Sequence, residues 1–312
     1  MAAKPAWLTV HPLSPEDALG ATALRASVAA FKGKLAGTAA RGPFDAVMER
    51  VAAPEGVTVA ADTVGGIPGL WAKPARPRQG AAILHLHGGW FNLGTARAYR
   101  NFVGHIAASA GAAAFVPDYR LAPEHRFPAA VEDVEACYRG LVDKGIKQIA
   151  VTGDSAGGDL ALVLLSIACA PAYKGGTAPV GAVAISPVTD LALTGESFET
   201  RAAADPYFTK SQVAGLVASY LGQTDPTNPL ASPLYGDLSG LPPIRVHVGD
   251  DEVLLDDSRR YVERAVAAGV DAELDVWMGM PHGFVTGIRE FDAARQALSA
   301  IGVFTAERLL QE

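Results

Sequence analysis

Ser155 stands where a hydroxyl can become a nucleophile. It lies in Gly153-Asp154-Ser155-Ala156-Gly157, a G-x-S-x-G pentapeptide between an apolar, β-branched run and a helical pattern that opens just past it. A serine so placed sits on a tight, strained turn from strand to helix, with its hydroxyl raised above the sheet. Side chains two residues to either side would collide across so sharp a bend, so glycines flank it. The next helix points its free N–H groups and positive dipole end at the same spot.

Such a hydroxyl needs a base to take its proton, a group to orient that base, and donors for an oxyanion. His282 is the candidate base. It falls in Gly279-Met280-Pro281-His282-Gly283-Phe284, a turn-like stretch directly after the last strand pattern. The other histidines sit elsewhere: His11 in the N-terminal segment, His85 and His247 inside strands, His105 on a helix, His125 in the loop Pro123-Glu124-His125-Arg126. The orienting acid is expected between serine and histidine in chain order. Asp250, Asp251, Glu252, Asp256 and Asp257 crowd the stretch just past the strand pattern Ile244 to Val248, and one of them is expected to fill that role. Oxyanion donors are read from His87-Gly88-Gly89-Trp90, which comes after the strand pattern ending at Leu86. Gly88 and Gly89 let the backbone turn two N–H groups towards one point, and Ala156, next to the serine, supplies a third.

A sheet must hold these turns together. Val57 to Ala60 and Gly69 to Lys73 read as an antiparallel pair around the Gly65-Gly66 turn. Ala81 to Leu86, Ala112 to Val116, Gln148 to Thr152, Val180 to Ile185, Ile244 to Val248 and Ala272 to Trp277 read as further strands. Helical patterns fall at roughly 96–109, 129–143, Ser258 to Ala268 and from about 290. Strands alternating with helices predict an α/β fold, a mostly parallel sheet with helices on both faces.

Two helices precede any strand pattern. Ser14 caps the first, with Pro15, Glu16 and Asp17 in its opening turn, and Leu24, Val28, Phe31 and Leu35 recur at helical spacing. Gly42-Pro43 breaks that pattern, and Phe44, Val47, Met48 and Val51 suggest a second, short helix. More than fifty residues then separate Ser186 from Ile244, with a helical pattern at Lys210 to Leu221 and a proline-rich run from Pro226 to Pro243. That is far longer than an ordinary α/β connection, and it leaves from the strand end where ligands bind. Residues 1–52 are therefore expected to supply cap helices. Residues 53–312 are expected to form the catalytic domain, with a cap insertion at about 190–240.

Composition narrows the class. The 312 residues are 49% hydrophobic, and 26 lysines and arginines against 33 acids leave a net charge of −7. No basic block stands out, which argues against nucleic acid or an anionic membrane as partner. The longest apolar run, Leu160 to Ala170 and interrupted only by Ser166, is too short to span a bilayer. The first residues lack the apolar core of a signal peptide, and Cys137 and Cys169 have no metal-type spacing. The expectation is a cytoplasmic protein with two buried, reduced thiols.

The chain resembles the hormone-sensitive-lipase-like branch of the α/β-hydrolases, mostly bacterial carboxylesterases of family IV. The resemblance covers nearly the whole chain. It rests on His87-Gly88-Gly89, Asp118 to Glu124 with Phe127-Pro128-Ala129, Gly153 to Gly158, Ser186-Pro187, Gly240 to Pro243 and His282-Gly283-Phe284. It implies an α/β-hydrolase fold with a helical cap, no metal or organic cofactor, often a homodimer, and scaffolding duty for Asp118 to Ala129. It also implies a register for the triad acid. The family's pattern is an aspartate, two residues of which the second is leucine, one more residue, then a second aspartate. Glu252 takes the first place with Leu254 and Asp256 in turn, whereas anchoring on Asp251 would put Leu255 where the second aspartate belongs. The departure is Trp90, where the pattern has a third glycine; a tryptophan there is expected to narrow the pocket for the alcohol part of a substrate.

The expected function is serine carboxylesterase action on short- to medium-chain esters through an acyl-enzyme. Ser155, Glu252 and His282 are its catalytic residues, Gly88, Gly89 and Ala156 its oxyanion hole, and a small-molecule ester its substrate. A lactone hydrolase would use the same triad with a different pocket. A non-catalytic small-molecule receptor on the same fold would have lost the histidine, and the intact Ser155 and His282 weigh against it.

Overall fold

Ala81–Leu86, here β4, is buried at every position, as a strand covered on both faces must be. The computed structural model describes residues 5–310. The other strands are β1 (Leu8–His11), β2 (Val57–Val64), β3 (Ile67–Pro74), β5 (Ala113–Pro117), β6 (Gln148–Asp154), β7 (Gly181–Ile185), β8 (Ile244–Gly249) and β9 (Ala272–Trp277). They form one sheet in the order β1-β9-β8-β7-β6-β4-β5-β3-β2. Pairing is antiparallel where β3 meets β2 and β5 and parallel elsewhere.

The period-2 alternation of strand side chains builds two cores from one sheet. Ala82, Leu84 and Leu86 pack with α4 (Ala129–Asp143), α5 (Ala156–Cys169) and α8 (Leu255–Ala267). Ala81 and Ile83 face the opposite way, onto α3 (Ala96–Ala110) and α9 (Asp292–Arg308). Cys137 is buried in the first core, Cys169 is half-buried, and both are free thiols.

Three differences from the sequence reading have local causes. Leu8–His11 is a strand rather than a tail: it runs parallel to β9, and His11 stacks on Trp277 at 3.8 Å and bonds Asp275 at 2.6 Å. Four residues at the sheet edge, only partly covered, leave no periodic signal to read. Residues 5–52 thus give the sheet an edge strand. Helix α1 (Pro15–Val28) opens as expected, with Ser14 Oγ accepting from the Asp17 N–H at 3.0 Å, but stops short of Phe31, which is 69% exposed. Gly42-Pro43 lies inside the first turn of α2 (Arg41–Met48), where a proline's missing N–H costs no hydrogen bond.

The insertion after β7 carries α6 (Ser197–Thr200) and α7 (Lys210–Leu221). Helix α7 starts on a capping box, Thr209 and Gln212 each satisfying the other's backbone N–H. The insertion and the N-terminal segment bond to each other: Gly33 N–H to Tyr207 O at 2.9 Å, Gln212 Nε2 to Leu35 O at 2.7 Å, Lys32 Nζ to Asp205 O at 2.5 Å. Helix α7 also grips the loop after β4, since Asn92 donates to Leu216 O at 3.2 Å and accepts from Ser219 Oγ at 2.7 Å.

Candidate active site

Parallel strands present their C-terminal ends at one edge of the sheet, and four neighbours in the order β9-β8-β7-β6 deliver the chemistry there. Ser155 comes directly after β6 at φ 55°, ψ −121°, a conformation that side chains rarely adopt. Its N–H donates to Ile185 O at 2.8 Å, and its carbonyl accepts from Asp159 and Val188, so the bend is tied on both sides. A Cβ on Gly153 would lie 2.1 Å from Gly157 O, and one on Gly157 would lie 1.9 Å from Leu86 O. Neither position admits a side chain.

His282 comes from the turn after β9 and Glu252 from the loop after β8. Their Nδ1 and Oε2 are 2.5 Å apart. A carboxylate can only accept, so Nδ1 carries the proton and Nε2 is left to act as a base. The other oxygen of Glu252 accepts from Ser186 Oγ at 2.7 Å and from the Gly249 N–H at 2.8 Å. Glu252 is fully buried, and the His282 side chain keeps 12% of its surface exposed. Burial pushes His282 down, but the charge and hydrogen bond of Glu252, with smaller help from Asp205 and Asp154, hold its pKa above the ordinary 6.5. Asp251 faces the other way and pairs with Arg25 of α1.

The loop after β4 differs from the sequence reading at one donor. The Gly88 N–H is already taken, donating to Asp154 Oδ1 at 3.1 Å. A Cβ on Gly88 would meet Asp154 Oδ2 at 2.4 Å, so this glycine serves close approach to the elbow. Gly89 lies at φ 123° and Trp90 at φ 52°. Among the described residues no protein acceptor takes the N–H of Gly89 or of Trp90. The Ala156 N–H opens α5, where a first-turn donor has no intrahelical partner.

A family profile describing the α/β-hydrolase fold matches residues 83–286, more than half of the chain. An acetyl-hydrolase from Streptomyces hygroscopicus is 39% identical over 244 residues, 78% of this chain and 80% of that protein. An esterase from Acinetobacter venetianus is 37% identical over 226 residues, 71% of this chain and 73% of that protein. The crystal structure of an esterase of the bacterial hormone-sensitive lipase family superposes with a TM-score of 0.87 at 39% identity, covering 96% of this chain and all of that one. This chain is an α/β-hydrolase of the hormone-sensitive-lipase-like branch.

In this hydrolase Ser186 and Asp154 take parts around the site that the sequence reading did not assign. Ser186 holds Glu252 from the end of β7 at φ 46°; its only advance signal was its place in Ser186-Pro187, one strand from the elbow. Asp154 joins the elbow to the loop after β4 and also accepts from Tyr99 Oη at 3.0 Å. Asp118 accepts from the Ala96 N–H at 2.7 Å and Arg120 is bound by Asp133, which makes their stretch scaffolding. Trp90 is 2% exposed, stacked edge-on against Phe208 of the insertion at 5.4 Å. It occupies in strain the left-handed conformation that suits a glycine. A cavity of about 620 Å³ opens elsewhere, between α2 and the start of α3; its lining, Asp45, Glu49 and Asp118 included, reaches none of Ser155, Glu252 or His282. Among the described residues no helix is long and apolar enough to cross a membrane.

Proposed function

We propose that this hydrolase cleaves esters of short- to medium-chain carboxylic acids through an acyl-enzyme on Ser155. His282 Nε2 takes the serine proton as Oγ attacks the ester carbonyl, and returns it to the departing alcohol. Glu252 keeps the imidazole in the tautomer that leaves Nε2 free and stabilises the imidazolium. The developing oxyanion is held by the N–H groups of Gly89 and Ala156, with that of Trp90 in the place first assigned to Gly88. Water then repeats the cycle on the acyl-enzyme.

The observation that carries the reading is the Glu252–His282 hydrogen bond of 2.5 Å, on turns that leave the same sheet edge as Ser155, itself held at positive φ. Two relatives support the acyl range. The Streptomyces protein is named an acetyl-hydrolase, and a homologous esterase, EstE5, 38% identical at a TM-score of 0.87, was crystallised and soaked with p-nitrophenyl butyrate. The cap and the buried Trp90 leave little room above the site, since Ser155 itself is only 4% exposed.

A chain-length series of p-nitrophenyl esters tests the range, with the best kcat/KM expected between about C2 and C8. Long-chain triglyceride emulsion as the best substrate would overturn it. An organophosphate should label Ser155 stoichiometrically, and Ser155→Ala should remove activity while the circular dichroism spectrum is kept. Label on another serine, with activity lost, would reassign the nucleophile.

A further inference from the structure

Asp205 lies in the insertion, just after α6, and is completely buried. One carboxylate oxygen accepts from the backbone N–H of Tyr207 at 2.8 Å and of Phe208 at 2.9 Å. The other accepts from the N–H of Val253 at 3.0 Å, and Val253 is the residue after Glu252. Three N–H donors shared over both oxygens are the pattern of an ionised carboxylate. The same side chain thus ties a cap segment to the loop that carries the acid.

What the cap segment carries gives this bond its consequence. The Phe208 ring stands edge-on to His282 at 5.1 Å and edge-on to Trp90 at 5.4 Å. It is a wedge between the imidazole and the loop after β4. The backbone carbonyl of Asp205 is itself held by Lys32 from the N-terminal segment. Ser197 Oγ adds a second tie to the acid loop, donating to Val253 O at 2.5 Å.

We propose that Asp205 is a positioning residue for the triad: its carboxylate locks the Glu252 loop and the Phe208 wedge into one unit around His282, so that the cap completes the catalytic geometry as well as covering it. The proposal rests on the reading of Ser155, Glu252 and His282 given above. Asparagine cannot replace this carboxylate, because its single oxygen can serve Tyr207 and Phe208 or Val253 but its amide nitrogen repels the remaining N–H. A loosened base then samples geometries that do not attack, and misplacement by about an ångström costs on the order of a hundredfold in rate.

The charge has a separate signature. The carboxyl groups facing His282 are Glu252 from the loop after β8, Asp205 from the insertion and Asp154 from the elbow, and all three favour the imidazolium. Burial raises the carboxyl of Asp205 above the ordinary 3.8, while the three N–H groups and His282 pull it back. Removing its charge must therefore lower the pKa of His282, and the acid limb of kcat/KM must move to lower pH.

The test is kcat, KM and the pH profile of Asp205→Asn, with rates normalised to sites titrated by an organophosphate so that only folded enzyme is counted. We expect kcat to fall about ten- to a hundredfold with KM little changed, and the acid limb to shift down. Wild-type kcat per titrated site, or an unmoved limb, overturns the proposal. Phe208→Leu covers the case in which Asp205→Asn does not fold: it keeps the charge and removes the wedge, so kcat should fall several-fold with the limb in place. Unchanged kcat there overturns the proposal too. Asp225→Asn removes an exposed turn-capping acid of the same insertion and should leave the profile untouched. Ser155→Ala separates the two readings. Activity surviving in it sinks the triad itself, whereas a dead Ser155→Ala beside a normal Asp205→Asn sinks only this proposal.

Discussion

The turn after β6 and the loop after β8 both end a parallel strand at the same edge of the sheet, yet they are held by opposite means. The elbow is held by backbone. Glycines at 153 and 157 allow close contacts that a single Cβ would break, and Ser155 bonds Ile185, Val188 and Asp159 through its own N–H and carbonyl. The acid loop is held from outside, each acid by its own partner. Asp250 pairs with Arg201 of the insertion and Asp251 with Arg25 of α1. Glu252 takes His282 and Ser186. Asp256 accepts from the Ser197 N–H. Asp257, fully buried and pushed by burial up to about 8, accepts from the N–H groups of Thr189 and Asp190. Five similar side chains, three in the loop and two in the first turn of α8, have five different duties. Local sterics make one turn legible, while remote partners decide the other.

The sharpest way to break that contrast is to exchange duties inside the acid loop. Glu252→Gln should cut kcat by up to about 10⁴, because an amide cannot enforce the Nδ1–H tautomer or stabilise the imidazolium. The pH profile carries a second readout. His282 must be neutral to act and its pKa is raised, so wild-type kcat/KM should fall as pH drops through a value above 6.5. Glu252 makes the largest of the contributions that raise it, so the limb in Glu252→Gln should move to lower pH. A wild-type rate in this variant would hand the orienting role to another acid.

The elbow should fail differently, through folding before chemistry. In Gly157→Ala the new Cβ would meet the Leu86 backbone at 1.9 Å, with no flexible side chain to give way. We expect a loss of at least about 1–3 kcal/mol in urea unfolding, as for overpacked cores. A variant of wild-type midpoint and activity would show that the bend relaxes freely. The smallest effect is expected at Asp251→Asn. Its pair with Arg25 is partly exposed on both sides and contributes about 1 kcal/mol or less. Its kcat should stay within about twofold of wild type, read in the same assay as Glu252→Gln. A large fall would reverse the ranking of the two acids.

Strain marks the same boundary. Trp90, Phe91, Ser155 and Ser186 all hold positive φ without being glycine, and all lie on the strand-end turns that surround the site. Such conformations cost about 1–3 kcal/mol each and persist only when the surroundings enforce them. For Ser155 the motif itself announced the strain. For Ser186 and Trp90 the only advance signs were the Ser186-Pro187 pair and the place of a third glycine, because their enforcement comes from Glu252 and from α7 and Phe208 across the fold.

Features set by near neighbours were legible in the amino-acid order alone. Period-2 and helical patterns placed β4, α4 and α7 within a residue of their observed bounds, since burial on both faces or along one stripe shapes composition directly. Glycine spacing located Ser155, and the turn after the last strand located His282. Features set by distant partners needed the folded chain. Its packing made Leu8–His11 a strand by setting it beside β9, turned the Gly88 N–H to Asp154, and gave Glu252 rather than Asp251 to His282. Neighbouring acids differ by a rotation of the backbone and by which cation or N–H lies opposite, and neither is written in their own identity. Family spacing alone pointed to Glu252, because carboxylates one residue apart are chemically alike until the folded chain sets Arg25 opposite one and His282 opposite the other.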